Sequence, residues 1–243
     1  MIMKLLEDIK PIKIESPYLY YNLPVPRVTK LLSFIHEDYL MIWSNSIGLY
    51  RHEKYKDNIQ KAAMIGTYTH EGIERFIKEK VYNQEIVTLN DKEQKMIDNG
   101  IQSFILWYDN ISKDNKIEIL EIEKPLICPY FGGTLDMLCK INDVIYLVDF
   151  KTSNHIGYKY FMQLAAYRYM LKTIMNIDIG GCIILQVDKK KIHYEEYTLD
   201  LLHDEFHREF LNQCENTFMS IVYSWNNVER TKQMYNDYLE RRK

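Results

Sequence analysis

Two apolar runs joined by only two residues constrain this chain more than any other feature. Residues 133–141 and 144–150 are rich in Val, Ile, Leu, Tyr, Phe and Cys and have the length of strands. Between them stand Asn142 and Asp143, residue types that tolerate the positive φ of a two-residue hairpin turn. Such a turn fixes the register. Ile141 must face Val144, and the same pairing carried along both strands sets Asp136 directly opposite Asp149. Their Cβ atoms are then expected roughly 4.5–5.5 Å apart. Two carboxylates so placed repel unless a cation or a proton sits between them. Strand alternation turns Lys151 to the face of Asp149 and sends Phe150 the other way, into a core.

Two acids and an ammonium on one spot of a sheet can hold a hard divalent cation against a phosphodiester. Mg²⁺ takes oxygen ligands, often one or two carboxylates, with waters and phosphate oxygens completing its shell. Lys151 could orient an attacking water or offset charge on a pentacovalent transition state. Taken alone, Asp149-Phe150-Lys151 reads equally as the solvated end of an exposed strand. The register match to Asp136 and the apolar Leu147-Val148 before it favour the site.

Gly132-Gly-Thr-Leu-Asp136, then Asp149-Phe-Lys151-Thr152-Ser153, then Gln163-Leu-Ala-Ala-Tyr167, resemble in that order the RecB-like branch of the PD-(D/E)XK nucleases. The thirteen residues from Asp136 to Asp149 and the two more to Lys151 fit that branch. Upstream, Gly66-Thr-Tyr-Thr-His70-Glu-Gly-Ile-Glu74 is similar to the family's helical G-x-x-x-H-x-x-I-E element. Leu23-Pro-Val-Pro-Arg-Val-Thr-Lys-Leu-Leu32 is similar to the L-P-S-V-T-x-I-L opening of the mitochondrial genome maintenance exonuclease group and its phage and bacterial relatives. Together these elements span about residues 21–170.

The resemblance implies an α/β fold with a PD-(D/E)XK (restriction-endonuclease-like) core, a mixed central sheet flanked by helices, and a helical N-terminal extension. It implies that Asp136 and Asp149 ligate Mg²⁺ or Mn²⁺, with the Phe150 carbonyl and His70 as further ligands and Lys151 as the catalytic lysine. Gln163 and Tyr167, one helical turn apart, would support the site. So would Glu121, fifteen residues before Asp136, where the mitochondrial group carries a glutamate; Glu123 lies on the same strand face, and the choice between them stays open. Thr152 and Ser153, next to the catalytic lysine, are expected to contact nucleic acid. Arg27 stands where the family's opening motif has serine.

The activity implied is metal-dependent hydrolysis of DNA phosphodiesters, as an exonuclease on single-stranded DNA or free ends. An endonuclease subunit of a repair complex would use the same residues, and a helicase or a replication or recombination partner would fit either role. The competing class is a nuclease-like fold kept as a non-catalytic DNA- or partner-binding module. The intact Asp136, Asp149 and Lys151 argue against that decay.

His70 shows how far residues alone reach. In a helical reading of 57–80 it shares a stripe with Gly66, Ile73 and Ile77. There it reads as a hydrogen-bonded core histidine with Glu74 at i+4 as partner, and Gly66 as a place for close backbone approach. The motif shifts His70 toward the metal.

With 243 residues and 47% hydrophobic content, the chain can bury a core as one domain, 1–243, mainly helical over 1–112 and α/β over 113–243. The net charge is −3, so there is no global basic field and any nucleic-acid site must be a local groove. Candidates for it are Arg27 and Lys30 in the opening motif and Lys189 and Lys190 at the tip of a hairpin. Tyr18, Tyr20 and Tyr21 precede Arg27 and could stack single-stranded bases, though core packing competes for them. The cysteines at 128, 139, 182 and 214 form no C-x-x-C pair, so no disulfide framework is expected and a reducing cytoplasm is the natural setting. They do not flank the core as in the cluster-bearing members of the family it resembles, so no iron–sulfur cluster is expected. The resemblance and the Lys/Asn/Ile/Tyr-rich composition imply a bacterial or phage-infected cell. No apolar run is long enough for a bilayer, and the first thirty residues lack a signal-peptide core.

Periodicity predicts helices over 28–56, 57–80, 91–110 and 158–174, with two more at 201–222 and 226–241. Strands are expected at 117–124, ended or pushed to a sheet edge by Pro125 and Pro129, and at 181–188 and 192–199.

Overall fold

A computed structural model describes residues 14–35, 55–80 and 89–242. Its elements are β1 (Leu19–Tyr20), β2 (Leu23–Pro24), α1 (Val28–Leu32), α2 (Tyr55–Glu79), α3 (Asp91–Asp114), β3 (Ile117–Ile127), β4 (Gly132–Ile141), β5 (Val144–Lys151), α4 (Tyr158–Met175), β6 (Gly181–Val187), β7 (Tyr194–Asp200) and α5 (Glu205–Glu240). The five long strands form one mixed sheet in the order β3-β4-β5-β6-β7. Only β5 and β6 run parallel, and α4 makes the crossover between them.

The sheet is covered on both faces. On one face Leu138, Leu147 and Ile184 pack with α1, α4 and α5 through Leu31, Leu164 and Phe218. On the other, Met137, Val148, Phe150 and Leu185 pack with α2 and α3 through Ile73, Phe104 and Trp107. Burial on both faces is why β5 and β6 read as near-continuous apolar runs, Leu-Val-Asp-Phe and Cys-Ile-Ile-Leu, with Asp149 the charged exception. The result is the expected architecture, a mixed five-stranded sheet flanked by helices.

Local chemistry accounts for the boundaries. Asn142 and Asp143 take φ of 48° and 69°, as a two-residue primed turn requires. Asn90 and Glu93 form a capping box at the start of α3. The left-handed Asn176 ends α4. Pro125 sits within β3 rather than ending it, which β3 tolerates because it is an edge strand with one row of backbone groups unpaired.

Three predicted helices are corrected. The helix expected over 28–56 stops at Leu32, where the Ser33 hydroxyl donates to the Lys30 carbonyl; residues 36–54 of that prediction lie outside the described residues. The pair expected at 201–222 and 226–241 is one helix, α5, with no glycine or proline to break it. Its periodicity changes because its last buried residues are Trp225 and Asn226, and beyond them the helix continues with an exposed surface. No helix among the described residues is long and apolar enough to cross a membrane.

Candidate active site

The hairpin of β4 and β5 keeps the expected register from Ile141↔Val144 to Met137↔Val148. The ladder ends there, one step before Asp136 and Asp149. Leu135 packs in one core and Met137 in the other, although strand alternation would put them on one face, so β4 turns at Asp136. The turn aims the Asp136 carboxylate at the next residue along: its Oδ2 accepts a hydrogen bond from the Phe150 N–H at 2.7 Å. Asp136 is 7% exposed and Asp149 1%.

Lys151 forms an ion pair with Asp149 and lies over the Tyr160 ring, 5.0 Å from its centroid. Phe150 points into the opposite core against Phe104, as alternation predicts. Asp149 Oδ1 is fully buried and has no hydrogen-bond partner among the described residues.

His70 reaches this point from α2. Its Nε2 lies 3.1 Å from the Phe150 carbonyl oxygen, which makes Nε2 the donor and leaves Nδ1 facing acids. Nδ1 is 3.5 Å from Glu123 and 3.6 Å from Asp136. Glu74, the partner suggested by helical spacing, is ion-paired with Lys78 instead.

Of the two glutamates left open, Glu123 faces His70, whereas Glu121 pairs with Lys124 at 2.9 Å. Backbone irregularity sets the two glutamates apart. A bulge between Ile119 and Glu121 shifts the register of β3, and Glu123 takes a left-handed φ of 47°. Simple alternation shows neither. His70, Glu123 and Asp136 each offer a ligand atom within 4.8 Å of the others.

Gln163 and Tyr167 are buried on the inner face of α4, with Gln163 Nε2 3.5 Å from the Tyr167 hydroxyl. The Gly132-Gly133 pair exists to admit two tyrosines. A Cβ on Gly133 would stand 2.8 Å from the Tyr167 ring, and one on Gly132 would stand 2.7 Å from Tyr18. Tyr18 also hydrogen-bonds Thr134 at 3.0 Å, so its packing role prevails over base stacking. Gly66 needs no such explanation, since a Cβ there would meet Thr152 at an ordinary 3.4 Å.

Charges at the site follow from burial and from one another. Burial pushes the Asp149 carboxyl up; Lys151 opposes this and Asp136 adds to it, and the net value is about 6. Burial pulls the Lys151 ammonium down, but Asp149 and Asp136 together hold it above the usual lysine value. His70 behaves alike: burial lowers it, and Asp136 and Glu123 hold it above the usual histidine value. Burial first, then Asp136 and Asp149, keep the Tyr167 phenol protonated.

Beside Lys151 opens a cleft of about 430 Å³ lined by Thr152, Ser153, Gln186, Lys189, Lys190 and Tyr197, among others. Four of the expected nucleic-acid contacts therefore share one cavity. Arg27 and Lys30 are exposed at the start of α1 and do not line it. The tip carrying Lys189 and Lys190 is tied to α3: Asn99 donates to the Lys189 carbonyl, and Ser103 bonds the Asp188 carbonyl and the His193 N–H. Sequence reasoning missed Asn99 and Ser103. Both lie on a helix whose periodicity marks only its apolar face.

No family model and no curated protein matches the chain. Among solved structures it is similar to SSO0001, at 15% identity and a TM-score of 0.35, covering 89% of this chain and 82% of that one. It is similar to LHK-Exo in complex with dAMP at 13% identity and a TM-score of 0.33, covering 70% of this chain and 85% of that one. A further structure of this alkaline exonuclease, from Laribacter hongkongensis, gives 12% identity, a TM-score of 0.31 and the same coverage. Likeness of this degree carries no argument about chemistry, which rests on the residues themselves.

Proposed function

We propose that the chain is a metal-dependent deoxyribonuclease of the PD-(D/E)XK type, in its RecB-like branch, acting as an exonuclease on single-stranded DNA or free ends. The observation that carries this reading is the convergence of Asp136, Asp149 and Lys151, with a buried Asp149 oxygen that no group among the described residues satisfies. The end preference comes from the motif resemblance.

The donors fit a divalent cation. Asp149 Oδ1 is a buried polar atom without a hydrogen-bond partner among the described residues, the buried Glu123 Oε1 has His70 Nδ1 3.5 Å away, and carboxylate and carbonyl oxygens are the ligands a hard ion takes. Asp136, Asp149, the Phe150 carbonyl and His70 would hold it. When bound, such an ion supplies positive charge that polarises a phosphoryl group. Lys151 stays charged beside its acids, so it serves as a fixed cation that orients water and offsets negative charge as it develops, rather than as a proton acceptor. Tyr167 stays a phenol: its oxygen accepts from Gln163 Nε2, which leaves its hydroxyl hydrogen free to donate. Thr152, Ser153, Lys189 and Lys190 would receive the strand in the adjoining cleft, Arg27 and Lys30 adding charge outside it.

Calorimetric titration with Mn²⁺ and Mg²⁺ tests this directly. Wild type binds the ion, and Asp149→Ala loses binding and DNA cleavage together while keeping its circular dichroism spectrum. A folded Asp149→Ala that still cuts DNA would sink the assignment, and a wild type that binds no ion would leave a binding module.

A further inference from the structure

The turn between β6 and β7 is closed on itself and fastened to α3. The Asp188 N–H bonds the His193 carbonyl at 2.9 Å, and within the loop so closed the Lys190 N–H bonds Asp188 Oδ1 at 2.7 Å. Two side chains one helical turn apart on α3 then grip both arms of the turn. Asn99 Nδ2 donates to the Lys189 carbonyl at 3.1 Å, and Ser103 Oγ accepts the His193 N–H at 2.9 Å. Ser103 is fully buried, and its own hydrogen has the Asn99 carbonyl at 2.7 Å. The clamp holds a cation in place. Lys189 is half-buried and lines the cleft, and its ammonium has no hydrogen-bond or ion-pair partner among the described residues. Burial first, then Lys190, pull that ammonium below the usual lysine value, with Asp188 opposing them. A half-buried cation crowded by a like charge lacks an anion.

We propose that Lys189 receives one backbone phosphate of the strand in the cleft, and that Asn99 and Ser103 are positioning residues that hold Lys189 there from α3. A lysine is a point charge on a flexible stem, and fixing its backbone beforehand removes part of the ordering that binding would otherwise cost. Lys190 is exposed at the same tip and adds general attraction. A phosphate contact carries no base information, but it fixes where the strand lies relative to Asp136, Asp149 and Lys151. The inference rests on the strand-binding half of the nuclease reading and gives α3 a part in it.

Fluorescence anisotropy of a labelled single-stranded oligonucleotide, with Ca²⁺ in place of Mg²⁺, reads the binding. Lys189→Ala weakens it by roughly fivefold at about 0.1 M salt and lowers the log–log salt slope by roughly 0.7, the share of one phosphate. Asn99→Ala and Ser103→Ala each weaken it by a smaller factor. Combined with Lys189→Ala, neither weakens it further, because side chains that act through one group do not add. With Mg²⁺, each variant raises KM for the strand more than it lowers kcat. Asn99→Ala carries the test where the buried Ser103→Ala fails to fold. Losses that add in the double variants, or a Lys189→Ala variant with wild-type affinity and slope, overturn the proposal. A wild type that cuts nothing in Mg²⁺ yet shows the same non-additive losses in Ca²⁺ keeps it and removes the nuclease chemistry alone. A wild type that binds no strand removes both.

Discussion

Asp149 is 1% exposed beside Lys151, with a carboxyl that burial pushes up to about 6. Folded Asp149 therefore binds a proton more readily than the unfolded chain does. Its contribution to stability is full below about pH 4 and is lost as pH rises through about 6. A bound cation reverses the sense, because it needs the carboxylate ionised and His70 Nδ1 free. Melting curves at pH 5 and pH 7.5 should show Mn²⁺ raising Tm strongly at the higher pH and little at the lower, with the shift largely gone in Asp149→Asn. Equal shifts at both values would contradict the site. Lys151 should separate binding from chemistry: Lys151→Ala keeps cation binding but cuts DNA slower by roughly 10²–10³, the usual loss for one charge-stabilising group. An unchanged rate would remove Lys151 from the mechanism. At this scale the nearness of Asp136 to the end of β5 was legible from the two-residue turn, but not the break in β4 that turns its carboxylate to the Phe150 N–H instead of setting it opposite Asp149. That Glu123 rather than Glu121 faces His70 was not legible either, because a bulge and a left-handed φ leave no mark on residue alternation.

Tyr167 brings α4 close against the start of β4. That approach depends on Gly133, where the Tyr167 ring occupies the space of a Cβ. Gly133→Ala should cost about 1–3 kcal/mol by overpacking and displace Tyr167, lowering cleavage with it. Gly66→Ala has ordinary room and replaces a mid-helix glycine, so it should leave the fold as stable or raise it by about 0.5–1 kcal/mol. Chemical denaturation of the two variants checks both, and the reverse order would overturn this packing role of Gly133. The long elements were readable from period and caps. The length of α5 was not, because its stripe of buried residues ends at Asn226 although its backbone continues to Glu240, and periodicity reports packing rather than backbone.

Across the whole molecule, two cores clamp one sheet and leave the ends of β5 and β6 to carry chemistry. The net charge of −3 offers no general attraction for DNA, so binding must depend on local cations. A Lys189→Ala/Lys190→Ala variant, measured on single-stranded DNA with Ca²⁺, should bind more weakly. Its log–log salt slope should fall by roughly 0.7 for each phosphate that the variant no longer neutralises. An unchanged slope would place the strand elsewhere. The most direct test of the central claim is cleavage of end-labelled single-stranded DNA with Mg²⁺, with Mn²⁺ and with chelator, wild type beside Asp149→Ala. A metal site at Asp136 and Asp149 predicts metal-dependent shortening from an end by wild type and none by the variant. Cleavage that persists in chelator or in Asp149→Ala would contradict it.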